Sequence, residues 1–119
     1  MDMTIKEGAV IKKRGSFIND KKASGHPIIV VDFDENIVWG AICTSAENAS
    51  KFSHVIDIDW QACNLSKATV VICDKLRKFN VSDVSKYYGD LLQLDYHNVL
   101  TELNRYNAID DLKETLYWR

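Results

Sequence analysis

Hydrophobic period divides this chain in two. The first two-thirds is a series of short apolar, β-branched runs, and the remainder repeats at helical spacing. Gly8–Lys13 opens as a strand at Ala9, Val10 and Ile11. Pro27–Phe33 is β-branched, with proline at the first position, where a strand tolerates it. Asp34, Glu35 and Asn36 make a short polar turn before a second apolar run, Ile37–Cys43, so residues 27–43 read as a hairpin. Ser53–Asp59 alternates, with His54, Ile56 and Ile58 on one face and Asp57 and Asp59 on the other. Ala68–Cys73 is a further strand, and a weaker one runs through Tyr87 and Tyr88. The period then changes. Tyr96, Val99, Leu100, Leu103 and Tyr106 recur three or four apart, as one stripe of an amphipathic helix. Asp95 fits as its N-cap, with Leu94 and Val99 as a hydrophobic staple. Asp110 and Asp111 are placed to open a second short helix. The expected fold class is mainly β with a C-terminal helix: a small, strongly bent sheet or barrel plugged by that helix.

Bulk composition narrows the picture. A chain of 119 residues is expected to form one domain, residues 1–119, with a core large enough to need no disulfides. The three cysteines, Cys43, Cys63 and Cys73, are far apart, and two lie inside apolar runs, so buried reduced thiols are expected. No Cys-x-x-Cys or comparable ligand spacing is present, so no metal or other cofactor is expected. There is no apolar run of about 18 residues, and Met1–Lys13 has no signal-like core, which makes the cytoplasm the expected compartment and a membrane no partner.

A net charge of −2 argues against broad coating of nucleic acid, but the charge is unevenly spread. Residues 1–31 carry six Lys/Arg against three Asp/Glu, and residues 32–119 nine against fourteen, so a basic first segment sits on an acidic body. Lys12, Lys13, Arg14, Lys21 and Lys22 flank a polar loop with Phe17 at its centre. The lysines and arginine suit phosphate steering, and Phe17 suits stacking on a base or pinning the loop. A second concentration of polar groups ends the Ala68–Cys73 strand. Asp74, Lys75 and Arg77 follow the apolar run directly, and strand ends present side chains at a rigid surface.

Five segments in order carry a resemblance to the MazF/PemK family of toxin endoribonucleases. Glu7-Gly8-Ala9-Val10 resembles the family's opening Gly-Asp-Ile-Val. The segment from Lys22 to Val31 resembles its Gly-x-Arg-Pro-x-Leu-Val-Ile. Ala41–Ser45 is similar to its Pro-Val-Thr-Ser strand end, Leu65–Arg77 to its Val-Val-Leu-Cys-Asp-Gln-x-Arg run, and Lys86–Leu91 to its Lys-Ile-Gly-x-Leu. The likeness spans most of the chain. It implies an SH3-like barrel, a homodimer, and metal-independent cleavage of single-stranded RNA to a 2′,3′-cyclic phosphate and a 5′-hydroxyl. It also implies inhibition by a cognate antitoxin.

RNA transesterification needs a base for the 2′-hydroxyl, charge stabilisation on the phosphoryl oxygens and an acid for the leaving oxygen. His26 stands where the family has arginine, before the proline of the second strand. An imidazole suits the acid or base role, and its substitution for arginine leaves open a rearranged or silent site. By resemblance, Thr44 and Asp74 join His26 in catalysis. Ser45, Val70, Ile72, Lys75 and Arg77 join the basic segment in lining the RNA groove, with Asp74 sharing a face with Val70 and Ile72 if the strand stays regular. Arg77 also fits a structural role. Two other readings stand beside the nuclease. One is a gyrase poison of the CcdB type, faintly echoed in Leu116-Tyr117-Trp118-Arg119, and the other is a catalytically silent RNA- or peptide-binding barrel.

Overall fold

The computed structural model describes residues 5–14, 26–74 and 76–105. Phe17, Lys21, Lys22, Lys75, Tyr106, the second short helix and the aromatic end of the chain lie outside the described residues. Among the described residues seven strands form an antiparallel sheet: β1 (Ala9–Lys13), β2 (Pro27–Phe33), β3 (Ile37–Ser45), β4 (Val55–Asp57), β5 (Thr69–Ile72), β6 (Arg77–Asn80) and β7 (Val84–Asp90). One helix follows, α1 (Gln93–Arg105). The strand order is β4-β5-β3-β2-β1-β7, with β6 also paired to β3.

The expected hairpin forms from β2 and β3, closed by the Asp34 N–H donating to the Ile37 carbonyl at 2.8 Å. Both of its strands are apolar at nearly every position because both sheet faces are buried. Ile28, Val30, Val38 and Ile42 face one core with Phe79 and Val84. Ile29, Val31, Trp39, Ala41 and Cys43 face the other. That second face is covered by Val99 and Leu103 of α1 and by Ile58, Cys63 and Leu65 of the segment after β4. The helical stripe read from sequence is thus the face that packs on the sheet. Tyr96 also donates its hydroxyl to the Val31 carbonyl at 3.2 Å.

The three cysteines are free and buried. Burial pushes the Cys73 thiol up to about 12 and raises Cys43 and Cys63 as well, so all three stay protonated at neutral pH.

Several boundaries differ from the sequence reading. The strand expected over Ser53–Asp59 is confined to Val55–Asp57, although Ile56 and Ile58 do share a core. The helix begins two residues before Asp95: the Tyr96 N–H donates to the Leu92 carbonyl at 3.0 Å. Asp95 is therefore a first-turn residue, and its carboxylate accepts from the Asp59 N–H at 2.8 Å instead of capping its own helix. Leu94 is 70% exposed, so it makes no staple with Val99. Strand β6 was not apparent from the sequence because its burial pattern is polar except for Phe79.

β3 shares one edge between two partners, pairing with β6 over Ile37–Gly40 and with β5 over Cys43–Ser45. Gly40 lies where β2 and β6 both press on β3, and a Cβ there would collide with Ile28 Cγ2 and stand 3.0 Å from the Ile29 carbonyl oxygen. Gly40→Ala is expected to cost about 1–3 kcal/mol by overpacking. Urea unfolding midpoints at unchanged slope are the check.

Candidate functional site

A cleft of about 510 Å³ opens beside the end of β3 and the start of β5. One wall is the strand ends, with His26 and Pro27 from the start of β2, Thr44 and Ser45 from the end of β3, and Thr69 from β5. The opposite wall combines the segment Asn64–Lys67 with Lys86 and Tyr88 of β7.

A local feature of the sequence holds that second wall. Asp59 accepts from the Ala62 N–H at 3.1 Å and starts a turn that ends at Asn64, whose φ of 64° is the left-handed conformation asparagine tolerates. The Leu65 N–H closes the turn onto the Trp60 carbonyl at 3.0 Å. The Asn64 side-chain amide donates to the Tyr88 carbonyl at 2.8 Å. Gly89 permits the approach, since a Cβ there would lie 2.9 Å from Asn64 Nδ2 and 3.2 Å from the Cys63 carbonyl.

The register assigns the strand-end side chains. Thr44 lies opposite Val70, and Ser45 opposite Thr69. Directly opposed residues share a face, so Ser45 and Thr69 extend the face of Cys43 while Thr44 follows Ile42 and Val70. Thr44 lines the cleft but is only 3% exposed. Ser45 is tied locally, accepting from Asn48 Nδ2 at 3.0 Å and reaching Glu47 Oε1 at 3.5 Å. Glu47 is thereby held at the rim, the carboxylate of a cleft that also carries His26, Lys67 and Lys86.

The structure brings together His26, Thr44 and Ser45 from among the residues read as functional, and adds Lys86, Lys67, Asn64 and Tyr88. Lys12 adjoins the group, because the register sets it opposite Pro27 on one side and Lys86 on the other. Lys13 and Arg14 follow at the end of β1, where the Arg14 N–H donates to the Asp83 carbonyl.

Other expected members fall elsewhere. β5 ends at Ile72, and the Cys73 N–H pairs with the His54 carbonyl at 2.7 Å, so the regular alternation that would have carried Asp74 beside Ile72 stops short. Asp74 is exposed and is not part of the cleft wall. Val70, within β5, is only 1% exposed, and Ile72 is half-buried against the core; neither is part of the cleft wall. Arg77 begins β6 opposite Gly40, further back along β3, instead of ending β5.

Lys86 was visible in sequence only as part of the Lys86–Leu91 resemblance. Its placement follows from cross-strand pairing, which local pattern does not give. Asn64 carried a detectable signal, a turn-forming residue between two apolar stretches.

No family model and no curated protein matches the sequence. Among solved structures, the chain is similar to the Mycobacterium tuberculosis toxin MazF-mt6, with a TM-score of 0.63, 17% sequence identity, and coverage of 86% of this chain and 96% of that one. The sheet bent around β3, with its C-terminal helix laid across one face, is therefore the barrel fold of a MazF-type toxin.

Proposed function

We propose that the protein is a metal-independent endoribonuclease toxin that cleaves single-stranded RNA in the cleft between β3, β5 and β7. The observation that carries this reading is the grouping of His26 with Lys67 and Lys86 around one cleft, in a chain with the fold of a MazF-type toxin. His26 takes the proton of a ribose 2′-hydroxyl. The 2′-oxygen attacks phosphorus, the bond to the 5′-oxygen breaks, and a 2′,3′-cyclic phosphate and a 5′-hydroxyl result. In-line attack sets the entering and leaving oxygens on opposite sides of phosphorus, so one imidazole reaches one of them, and the leaving oxygen takes its proton from water. The lysine ammonium groups offset the charge that builds on the non-bridging oxygens. The exposed Asp74 acts, in this scheme, outside the cleft of its own chain, on RNA that runs over the surface of a second copy.

The partners in this scheme are messenger RNA, an inhibitory antitoxin and a second copy of the chain. No helix among the described residues is long and apolar enough to cross a membrane. One small cleft holds little more than a nucleotide, and a two-fold pair of clefts makes a longer track. A catalytically silent RNA-binding barrel is the second reading. It is favoured by one observation, the separation of Asp74 from His26.

Three measurements test the proposal. His26→Ala is expected to slow cleavage of single-stranded RNA by roughly 10²–10⁴ while leaving the melting temperature nearly unchanged. His26→Arg is expected to restore part of the rate, by supplying a cation where the imidazole stood. Equal rates for His26→Ala and wild type would reject the imidazole and move the protein to the binding-only class. Cleavage is expected to survive EDTA, because the scheme assigns its base and charge stabilisation to side chains and its acid to water, and a loss restored by magnesium would count against it. Light scattering at micromolar concentration is expected to give about 27 kDa, twice the chain mass of 13.6 kDa. A 13.6 kDa species would remove the paired track.

A further inference from the structure

Lys12 and Lys86 are direct partners across β1 and β7, so their side chains leave the same face of the sheet. Like charges directly opposite one another oppose strand pairing. No carboxylate among the described residues makes a salt bridge to either lysine, although Lys6, on the approach to β1, does pair with Asp90, at 3.0 Å. The row continues on the other side of Lys12 to Pro27, next to His26. Lys86 is exposed along its stem but turns its ammonium back onto the sheet. Its ammonium lies 4.7 Å from the centre of the Tyr88 ring, two residues along the same strand, and both residues line the cleft. Tyr88 packs its other side against the core. The ring is thus half-buried, and the lysine ammonium lies over it.

We infer that Lys12 and Lys86 clamp one phosphate of a nucleotide, and that the phosphate draws Lys86 off Tyr88 so that the base of the same nucleotide stacks on the uncovered ring. An anion between two opposed lysines turns their repulsion into attraction. A cation–π contact at an exposed site is weaker than a charge-assisted hydrogen bond to phosphate, so the exchange of partners is downhill. The cleft volume of about 510 Å³ is within the range of small-ligand sites. The occupant is one nucleotide unit of a single-stranded RNA. The inference deepens the ribonuclease reading by assigning what the cleft grips, and it rests on that reading only for the chain to which the nucleotide belongs.

The test is binding, which does not depend on cleavage. The full-length protein is titrated calorimetrically at low salt with adenosine 5′-monophosphate, with adenosine, with inorganic phosphate and with a short single-stranded oligoadenylate. The monophosphate is expected to bind at least about tenfold more tightly than adenosine or inorganic phosphate, because stacking and phosphate contact act together. The oligoadenylate is expected to bind more tightly still. Lys12→Met and Lys86→Met are each expected to weaken monophosphate binding about tenfold, and to reduce the salt dependence of oligoadenylate binding by about 0.7 in log–log slope. Tyr88→Leu is expected to remove the advantage of the monophosphate over phosphate. The variants at exposed Lys86 and half-buried Lys12 keep the test valid if Tyr88→Leu does not fold. Wild-type affinity in both lysine variants, or phosphate binding as tightly as the monophosphate, overturns the inference even in a protein that cleaves RNA. An oligoadenylate that binds no better than the monophosphate overturns the assignment to RNA. Monophosphate binding with the expected variant effects, in a protein that cleaves nothing, rejects the nuclease reading and leaves the clamp in place.

Discussion

The sharing of one edge of β3 between β6 and β5 is the constraint on which the rest of this molecule depends. A strand can give each edge to only one partner at a time, so the switch between Gly40 and Cys43 splits the sheet and turns its two parts in different directions. The bend encloses Ile28, Val30, Val38, Ile42, Phe79 and Val84 on its inner side. The outer side is left for α1 and the segment after β4 to cover. The Ile28 side chain and the Ile29 carbonyl crowd the bend, which is why position 40 has no room for a Cβ.

That geometry also determines where chemistry can be placed. α1 packs on the outer face with Val10, Ile29 and Cys43, and the last residues of β3 and the first of β2 line an open cleft. The opposing wall is held against β7 by the Asn64 amide and the absent side chain of Gly89. Asp95 ties the same segment to α1 through the Asp59 N–H, so helix, turn and β7 brace one another around the cleft. Lysines from separate parts of the sequence converge there, while Glu47 is engaged by Ser45. The result is a local positive site on a chain of net charge −2, and local charge, more than net charge, governs which polyanion is held and how.

The sequence by itself determined the elements whose physical cause is local. The β-branched runs gave β1, β2, β3 and β5, and the Asp34–Asn36 turn gave the hairpin between β2 and β3. The three- and four-residue spacing of Tyr96, Val99, Leu100 and Leu103 gave α1 and its buried face. His26, Thr44 and Ser45 were read as candidate site residues from the resemblance, which sets them at strand ends, and not from local pattern alone. Only the tertiary structure decided which strands neighbour one another. Pairing register joins residues far apart in the chain, and no local pattern encodes it. The partner switch along β3 moved Arg77 into a new strand, the early end of β5 left Asp74 outside the cleft, and burial on both faces took Val70 out of reach. The same register set Lys86 of β7 against Lys12 of β1. The sequence contained both lysines, but a contact between strands so distant along the chain exists only once the sheet has formed.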